Sequence, residues 1–158
     1  MPLANATPKT PTITKPLYIL NGPNLNMLGA REPDVYGHET LDDIEHRCAG
    51  LARAANVKLV FRQSNAEGDL VDWVQEASQN ACALVLNAGA CTHTSIALHD
   101  ALRLMDAPVI ELHLSNPAAR ESFRHINYIA PVATAGICGF GAMGYEMAVT
   151  AALALVKT

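Results

Sequence analysis

The sequence predicts an α/β fold in which a parallel sheet carries helices on both faces. Strand segments alternate with amphipathic helix segments along the chain after residue 16. Two strand segments, 17–20 and 83–86, are continuous apolar runs, which are typical of strands buried on both faces. Polar clusters also follow directly on three of the strand segments, as expected where a sheet of this class binds a ligand.

Composition indicates one domain. The chain has 158 residues, of which 50% are hydrophobic and 5% aromatic, enough for a self-sufficient core. Residues 1–16, rich in Pro, Thr and Ala, are expected to form a disordered tail, and 17–158 a single domain. The net charge of −4 gives no general attraction to nucleic acid or acidic membranes, and no apolar run is long enough to cross a bilayer. The four cysteines lack a C-x-x-C pair, so free thiols and a cytoplasmic location are expected.

The first half of the chain contains two strands and a helix. The first strand, at 17–21, ends in an Asn-Gly-Pro-Asn turn that cannot continue a strand, because proline lacks a backbone donor and glycine favours unusual backbone angles. After a polar, irregular segment, Thr40 and Asp43 have capping-box spacing, so a helix is expected from residue 41 to 55. Alternating apolar residues predict the second strand over 57–63.

The second half continues the alternation. Helical spacing predicts helices over about 68–80 and 94–105, with a buried strand at 83–86 between them and another strand at 108–112. Asn116-Pro117 predicts the cap and first residue of a short helix. The chain ends in an Ala-rich apolar helix, expected from about 143 to 156.

The expected architecture is a single-domain, flavodoxin-like, three-layer sandwich whose five parallel strands follow the order 2-1-3-4-5. In this order strands 1 and 3 are neighbours and the topological switch point lies between them. The turns that carry Asn24, Asn87 and His113 are then adjacent at the carboxyl edge of the sheet. The sequence therefore predicts a ligand site at this edge.

Arg31 and Tyr36 lie in a segment bounded by Gly29 and Gly37, which is typical of a hinged lid. A phenol is a poor base at neutral pH because its pKa is about 10. A nearby guanidinium favours the phenolate and lowers that pKa. The pair thus suggests an activated base, and the alternative is a surface arginine with a packing tyrosine.

Alternation along a strand places Glu111, His113 and Ser115 on the same side. At a strand end, this arrangement gives a carboxylate that can fix the imidazole tautomer and an imidazole that can pass a proton. The alternative is a core histidine whose hydrogen bond is satisfied by a carboxylate.

Two further groups suggest binding. Asn87 and His93 flank a glycine-containing loop whose N–H groups suit an anion, a carbonyl or a hydroxyl, although Thr92 or Thr94 could simply cap the next helix. Arg120 and Arg124 are predicted at i and i+4 on one helix face, where two cations repel unless an acid or a ligand lies between them. This favours an anionic substrate, and a solvated basic face is the alternative.

Competing functions have weaker support. The segment 139–144 matches G-x-G-x-x-G, but no βαβ unit follows, so we interpret it as a tight turn with helix-packing glycines. Cys91 and His93 could belong to a hydrolase, yet small apolar packing explains the cysteine as well. A flavodoxin-like module that binds a flavin or nucleotide without chemistry remains open. The histidines lack metal-site spacing, so we expect neither a metal nor a cofactor.

Taken together, several ordered motifs resemble the type II 3-dehydroquinate dehydratases. The similarity covers nearly everything after Pro16, with the spacing of that family. The matching stretches are Asn21-Gly22-Pro23-Asn24-Leu25, Arg31-Glu32-Pro33 with Val35-Tyr36-Gly37, Arg62-Gln63-Ser64-Asn65, Asn87-Ala88-Gly89 with Thr92-His93-Thr94-Ser95, Glu111-Leu112-His113-Leu114-Ser115-Asn116, Arg120-Glu121 with Phe123-Arg124, and 139–145.

The resemblance implies an anti elimination of water from 3-dehydroquinate through an enolate, giving 3-dehydroshikimate in the shikimate pathway. It implies catalytic roles for Tyr36 as the base, Arg31 as the group that lowers the Tyr36 pKa, Asn24 as the holder of a water on the enolate oxygen, and His113 as the general acid, oriented by Glu111. It implies that the substrate carboxylate binds to Ser115 and the Leu114 amide, and the ring hydroxyls to Asn87, His93 and Arg124, while Arg120 supports the lid.

The resemblance also implies an assembly. Asp100 would reach the site of a neighbouring subunit, in trimers that form a dodecamer. No cofactor or metal is implied, and the only implied partners are the small-molecule substrate and further copies of the chain.

Overall fold

The computed structural model describes residues 12–30, 34 and 38–156. One sheet of five parallel strands has the order β2-β1-β3-β4-β5, which confirms the predicted class and strand order. The strands are β1 (Leu17–Asn21), β2 (Leu59–Gln63), β3 (Ala83–Asn87), β4 (Val109–His113) and β5 (Ala135–Cys138). The α-helices in the described residues are α1 (Leu41–Ala54), α2 (Glu67–Asn80), α3 (Ile96–Leu102) and α4 (Met143–Leu155).

The core has two halves, one on each face of the sheet. Because side chains alternate along a strand, Leu17 and Ile19 pack on the face covered by α1 and α4, whereas Tyr18 and Leu20 pack on the face covered by α2 and α3. All five residues of β1 and of β3 are buried, as their continuous apolar runs predicted. Full burial of each large aliphatic side chain contributes about 1.5–3 kcal/mol, so these two strands anchor the polar turns that follow them.

The start of α1 confirms the predicted capping box. Thr40 Oγ1 accepts a hydrogen bond from the Asp43 backbone N–H at 3.2 Å, and the Asp43 carboxylate accepts one from the Thr40 N–H at 3.0 Å. The Thr40 hydroxyl also donates to the Asp43 carboxylate at 2.7 Å, and this bond, together with the one from the Thr40 N–H, holds the pKa of Asp43 below its usual value. The cap places the helix directly after the segment that carries Arg31 and Tyr36.

Three expectations about local structure need correction. The third helix is shorter than the predicted 94–105, because Gly89–His93 forms a 3-10 turn and Ser95 caps α3 by accepting from the Leu98 N–H. The helix expected after Asn116-Pro117 is instead two 3-10 turns, Pro117–Ala119 and Ser122–His125. The fifth strand of the predicted sheet, to which no segment had been assigned, is β5, and it is short and mostly exposed.

The predicted N-terminal tail and the predicted lack of a membrane span are only partly covered by the described residues. Residues 1–11 of the predicted tail lie outside the described residues, so the disorder of that tail stays a prediction. Ile13, within the predicted tail, packs against the core, and the Pro16 carbonyl accepts from the Cys82 N–H at 2.9 Å. No helix in the described part of the chain is both long enough and apolar enough to span a membrane.

Candidate active site

A pocket opens at the carboxyl edge of the sheet, where β1, β3 and β4 end. This is the location that the topology predicted. Its described lining comes from the turn after β1, the loop after β3 and the segment after β4: Pro23, Asn24, Leu25, Leu28, Asn87, Gly89, Ala90, His93, His113, Leu114, Ser115, Pro117, Arg120 and Arg124. Eight residues predicted to form the site therefore lie around one cavity.

Two glycines allow the turns after β1 and β3 to touch. A Cβ atom on Gly22 would lie 2.3 Å from the Ala88 carbonyl oxygen, far inside van der Waals contact. Gly89 has a φ of +57°, and a Cβ there would lie 3.0 Å from the Pro23 carbonyl oxygen. The Gly22 N–H donates to the Asn87 carbonyl at 2.8 Å. The backbones of the two turns are thus in direct contact, and Pro23 and Gly89, one from each turn, line the pocket.

Asn24 follows this contact in a left-handed backbone conformation, with a φ of 69°. Asparagine tolerates this conformation better than most side chains. The Asn24 N–H donates to the Asn65 side-chain oxygen at 2.9 Å, and Gln63 Nε2 donates to the same oxygen at 3.1 Å. The Asn24 side chain makes no capping hydrogen bond in this turn. Asn65, whose role the sequence analysis missed, therefore fixes the backbone of Asn24 from the end of β2.

His113 is held by a buried carboxylate, as the alternation along β4 predicted. Its Nε2 lies 2.7 Å from Glu111 Oε1, and the two side chains are only 12% and 7% exposed. The carboxylate accepts this hydrogen bond, which assigns a proton to Nε2 and leaves Nδ1 as the ring nitrogen available to a ligand. Asn127 Nδ2 donates to the same Glu111 oxygen at 2.6 Å. The sequence analysis missed Asn127, because nothing in its local pattern connects it to β4.

His93 has a defined tautomer. Its Nδ1 lies 2.6 Å from the Ile126 carbonyl oxygen, and a carbonyl can only accept, so Nδ1 carries the proton. The remaining nitrogen, Nε2, is then an acceptor suited to a hydroxyl group. The His93 ring lies parallel to the His113 ring, with centroids 6.4 Å apart and 17° between the planes.

Arg120 and Arg124 both line the pocket, but they do not share a helix face. Arg120 has an extended backbone between the two 3-10 turns, so the predicted i, i+4 relation on one helix is wrong. Glu121 lies between the guanidinium groups, 2.7 Å from Arg124 Nε and 3.5 Å from Arg120 Nε. Its own backbone and Arg124 hold the pKa of Glu121 below the usual value. An acid therefore already relieves the repulsion, and the pair alone does not require an anionic ligand.

The Ser115 hydroxyl is available as a hydrogen-bond donor. Arg120 Nη1 donates to Ser115 Oγ at 3.2 Å, which occupies a lone pair of the hydroxyl and leaves its proton for another acceptor. A substrate carboxylate is such an acceptor.

Three further predicted residues are not among those described around the pocket. Asp100 is exposed on α3 and does not line the pocket. Arg31 and Tyr36 lie outside the described residues. No group of three or more His, Cys, Asp or Glu in the described ranges is arranged to hold a metal ion.

The structure also bears on the competing motifs. Cys91 is buried, and burial raises the pKa of its thiol, which disfavours a thiolate nucleophile. Gly139 and Gly141 have positive φ angles, and a Cβ on Gly144 would lie 3.1 Å from the Leu112 side chain. The glycine motif is therefore a tight turn with a helix-packing glycine, as interpreted from the sequence.

Comparison with known proteins gives consistent results. The family model described as dehydroquinase class II matches residues 15–153. A 3-dehydroquinate dehydratase of Hyphomonas neptunium is 61% identical over 143 residues, which is 90% of this chain and 96% of that protein. One from Phenylobacterium zucineum is 54% identical over 145 residues, covering 92% of this chain and 100% of the relative. The crystal structure of a type II dehydroquinase from Butyrivibrio crossotus superposes with a TM-score of 0.85 at 39% identity, covering 88% of this chain and 97% of that one.

Proposed function

Because the chain belongs to the class II dehydroquinase family, we propose that it is a hydro-lyase that converts 3-dehydroquinate into 3-dehydroshikimate and water. The reaction belongs to the shikimate pathway. The observation that carries this proposal is the pocket itself, in which an oriented imidazole, a polarised serine hydroxyl and two guanidinium groups surround one cavity.

The elimination needs a base, an acid and a group that stabilises the enolate. Tyr36, as the phenolate favoured by Arg31, takes a proton from the carbon beside the ketone, and the electron pair of that C–H bond forms the enolate. Asn24 holds a water molecule whose hydrogen bond stabilises the enolate oxygen. The enolate then expels the hydroxyl group from the next carbon, forming the conjugated double bond, and His113 supplies the proton that turns the leaving group into water.

The described geometry supports the role of His113. The Glu111 carboxylate fixes the ring through Nε2, which keeps its proton, so a proton delivered from Nδ1 on the pocket side comes from the doubly protonated ring. Rapid turnover needs this ring already oriented, since small misplacements of a catalytic group cost large factors in rate.

Substrate binding follows from the other lining residues. The substrate carboxylate binds to the Ser115 hydroxyl and the Leu114 backbone N–H at the end of β4. The ring hydroxyls bind to Asn87, to the acceptor nitrogen of His93 and to Arg124, while Arg120 supports the segment that carries Tyr36. The site uses no metal or cofactor.

We also propose that the enzyme is a cytoplasmic homo-oligomer of trimers assembled into a dodecamer. The exposed position of Asp100 on α3 fits a role at the site of a neighbouring subunit. Sedimentation of the purified chain measures the assembly, because one chain has a mass of 16.8 kDa and a dodecamer is twelvefold heavier.

The direct test mixes the purified chain with 3-dehydroquinate and follows the absorbance of the conjugated enone product. We expect Tyr36→Phe to lose nearly all kcat while calorimetry still detects substrate binding, because only the base is removed. Tyr128→Phe, a partly exposed tyrosine outside the pocket lining, serves as the matched control and retains turnover. Near wild-type turnover of Tyr36→Phe would reject the assignment of the base.

A further inference from the structure

A buried tyrosine lies directly behind the pocket wall. Tyr145, on α4, is fully buried, and its hydroxyl sits between the side chains of Asn21 and Asn87. These two asparagines are register partners at the ends of β1 and β3. The Tyr145 hydroxyl donates to Asn21 Oδ1 at 2.6 Å and accepts from Asn87 Nδ2 at 3.0 Å.

Main-chain groups at both ends fix the direction of this chain of hydrogen bonds. Asn21 Nδ2 donates to the Arg62 carbonyl at 3.1 Å, so Asn21 must present its oxygen to the phenol. The Gly89 N–H donates to Asn87 Oδ1 at 3.3 Å, so Asn87 must present its nitrogen to the phenol. A carbonyl only accepts and a backbone N–H only donates, so neither amide can be reversed without losing bonds. The single phenol proton links the two.

The network limits what Asn87 can offer to a ligand. Its amide has two N–H donors and two acceptor lone pairs, of which Tyr145 takes one donor and Gly89 takes one lone pair. Asn87 lines the pocket, although only 2% of its surface is exposed. One N–H and one lone pair therefore remain, in positions that the buried network determines.

We propose that Tyr145 is a positioning residue that sets the orientation of the Asn87 amide and thereby its hydrogen bond to a substrate hydroxyl. This inference rests on the proposed function, because the hydroxyl belongs to 3-dehydroquinate. Burial raises the pKa of Tyr145, so its hydroxyl stays protonated and keeps its donor role over the working pH range.

The test compares two tyrosine variants with the same chemical change. Tyr145→Phe removes one oxygen and keeps the ring that packs against Phe61. Tyr18→Phe removes the hydroxyl of a second buried tyrosine, which donates to the half-exposed Glu76 carboxylate at 2.7 Å on the other face of the sheet. We expect Tyr145→Phe to raise KM for 3-dehydroquinate about tenfold, the loss of roughly one hydrogen bond, with kcat within twofold. Tyr18→Phe leaves both constants unchanged.

The same substitution made in an Asn87→Ala variant separates an effect on the orientation of Asn87 from a general loss of stability. In Asn87→Ala, the amide that Tyr145 orients is absent, so adding Tyr145→Phe causes no further rise in KM. A ¹H–¹⁵N spectrum provides a readout independent of turnover, because the Asn87 side-chain NH2 resonances shift in Tyr145→Phe and not in Tyr18→Phe. Unchanged KM and unchanged Asn87 resonances in Tyr145→Phe would overturn the proposal, as would an equal KM effect with Asn87 absent.

If Tyr145→Phe does not fold, Asn21→Ala tests the same network from its other end. This change removes the acceptor of the phenol proton, so the hydroxyl is no longer fixed toward Asn87 and the amide is held by the Gly89 N–H without it. The same rise in KM is therefore expected. An unchanged KM in Asn21→Ala then overturns the proposal. A wild-type protein that leaves 3-dehydroquinate unchanged would refute the proposed function instead, whereas the Asn87 resonances would still report on the network.

Discussion

The orientation of His113 depends on a chain of side chains that continues beyond Glu111. Asn127 Oδ1 accepts from the backbone N–H groups of Ile129 and Ala130, at 2.8 and 2.9 Å. Its nitrogen must therefore face Glu111 Oε1, to which it donates. The Glu111 carboxylate is thus held between an amide and an imidazole, in a buried setting where an unmade hydrogen bond is costly.

At the residue scale, we expect Asn127→Ala to lower kcat by about tenfold or more, because Glu111 and then His113 gain freedom to leave the productive geometry. Substrate affinity should change little, since Asn127 does not line the pocket. Steady-state kinetics measure both constants. The matched control is Asn80→Ala, which removes an exposed asparagine bonded only to its own helix. A kcat within twofold of wild type in Asn127→Ala would contradict the orienting role.

Residue-scale prediction from the sequence succeeded where local geometry decides the outcome. Glu111 and His113 are two positions apart on one strand, and alternation alone brings them together. Asn127 and Tyr145 reach the site through tertiary folding, from residues far along the chain. Tyr145 in particular belongs to an apolar helix, and its hydroxyl becomes informative only when Asn21 and Asn87 are placed beside it.

At the element scale, the turns after β1 and β3 pack so closely that a single added methyl group tests the contact between them. We expect Gly22→Ala to lower the free energy of unfolding by about 2 kcal/mol or more, because its Cβ would overlap the Ala88 carbonyl. Turnover should fall as well, since Asn24 and Asn87 flank this contact. Denaturant unfolding followed by circular dichroism measures the stability.

A second glycine provides the opposite control. Gly50 lies on the exposed side of α1, and a Cβ there would meet nothing within 4 Å. Gly50→Ala should raise the stability by about 0.5–1 kcal/mol, because alanine loses less conformational entropy in a helix. Equal effects of the two substitutions would show that the close contact at Gly22 does not matter.

Elements with strong local signals were predicted well, and those fixed by tertiary contacts were not. The capping box of α1 and the continuous apolar runs of β1 and β3 are local, and the structure confirms them. In contrast, β5 has four mostly exposed residues with no alternation, and only pairing with β4 makes it a strand. The first of the two 3-10 turns near the arginines begins with an asparagine cap and a proline, signals that an α-helix shares.

At the scale of the whole molecule, the reactivity of the four cysteines reports on unfolding of the domain. Cys48, Cys82 and Cys91 are buried, whereas Cys138 is exposed. Burial raises the pKa of all three buried thiols, that of Cys48 to about 12, so little thiolate forms in the native state. We expect iodoacetamide to add one group rapidly to the native protein and four in denaturant, as counted by intact mass spectrometry.

Cys138→Ser sharpens this experiment. The variant should lose the rapid adduct, keep the slow reactions of the three buried thiols and retain turnover after prolonged exposure to the reagent. A second rapid adduct would mean that one of the buried thiols is accessible. Intact turnover after alkylation of Cys91 would dispose of the hydrolase hypothesis, which needs that thiol as its nucleophile.

The close contact between the turns after β1 and β3 also matters for any redesign of the pocket. Where the two turns meet at Pro23 and Gly89, backbone lies against backbone, so a smaller side chain there would add little space. The segment after β4 contributes further side chains to the lining, among them those of Pro117, Arg120 and Arg124. Of these, Pro117 is the position to vary for a bulkier ligand, because Arg120 and Arg124 have proposed roles in the site.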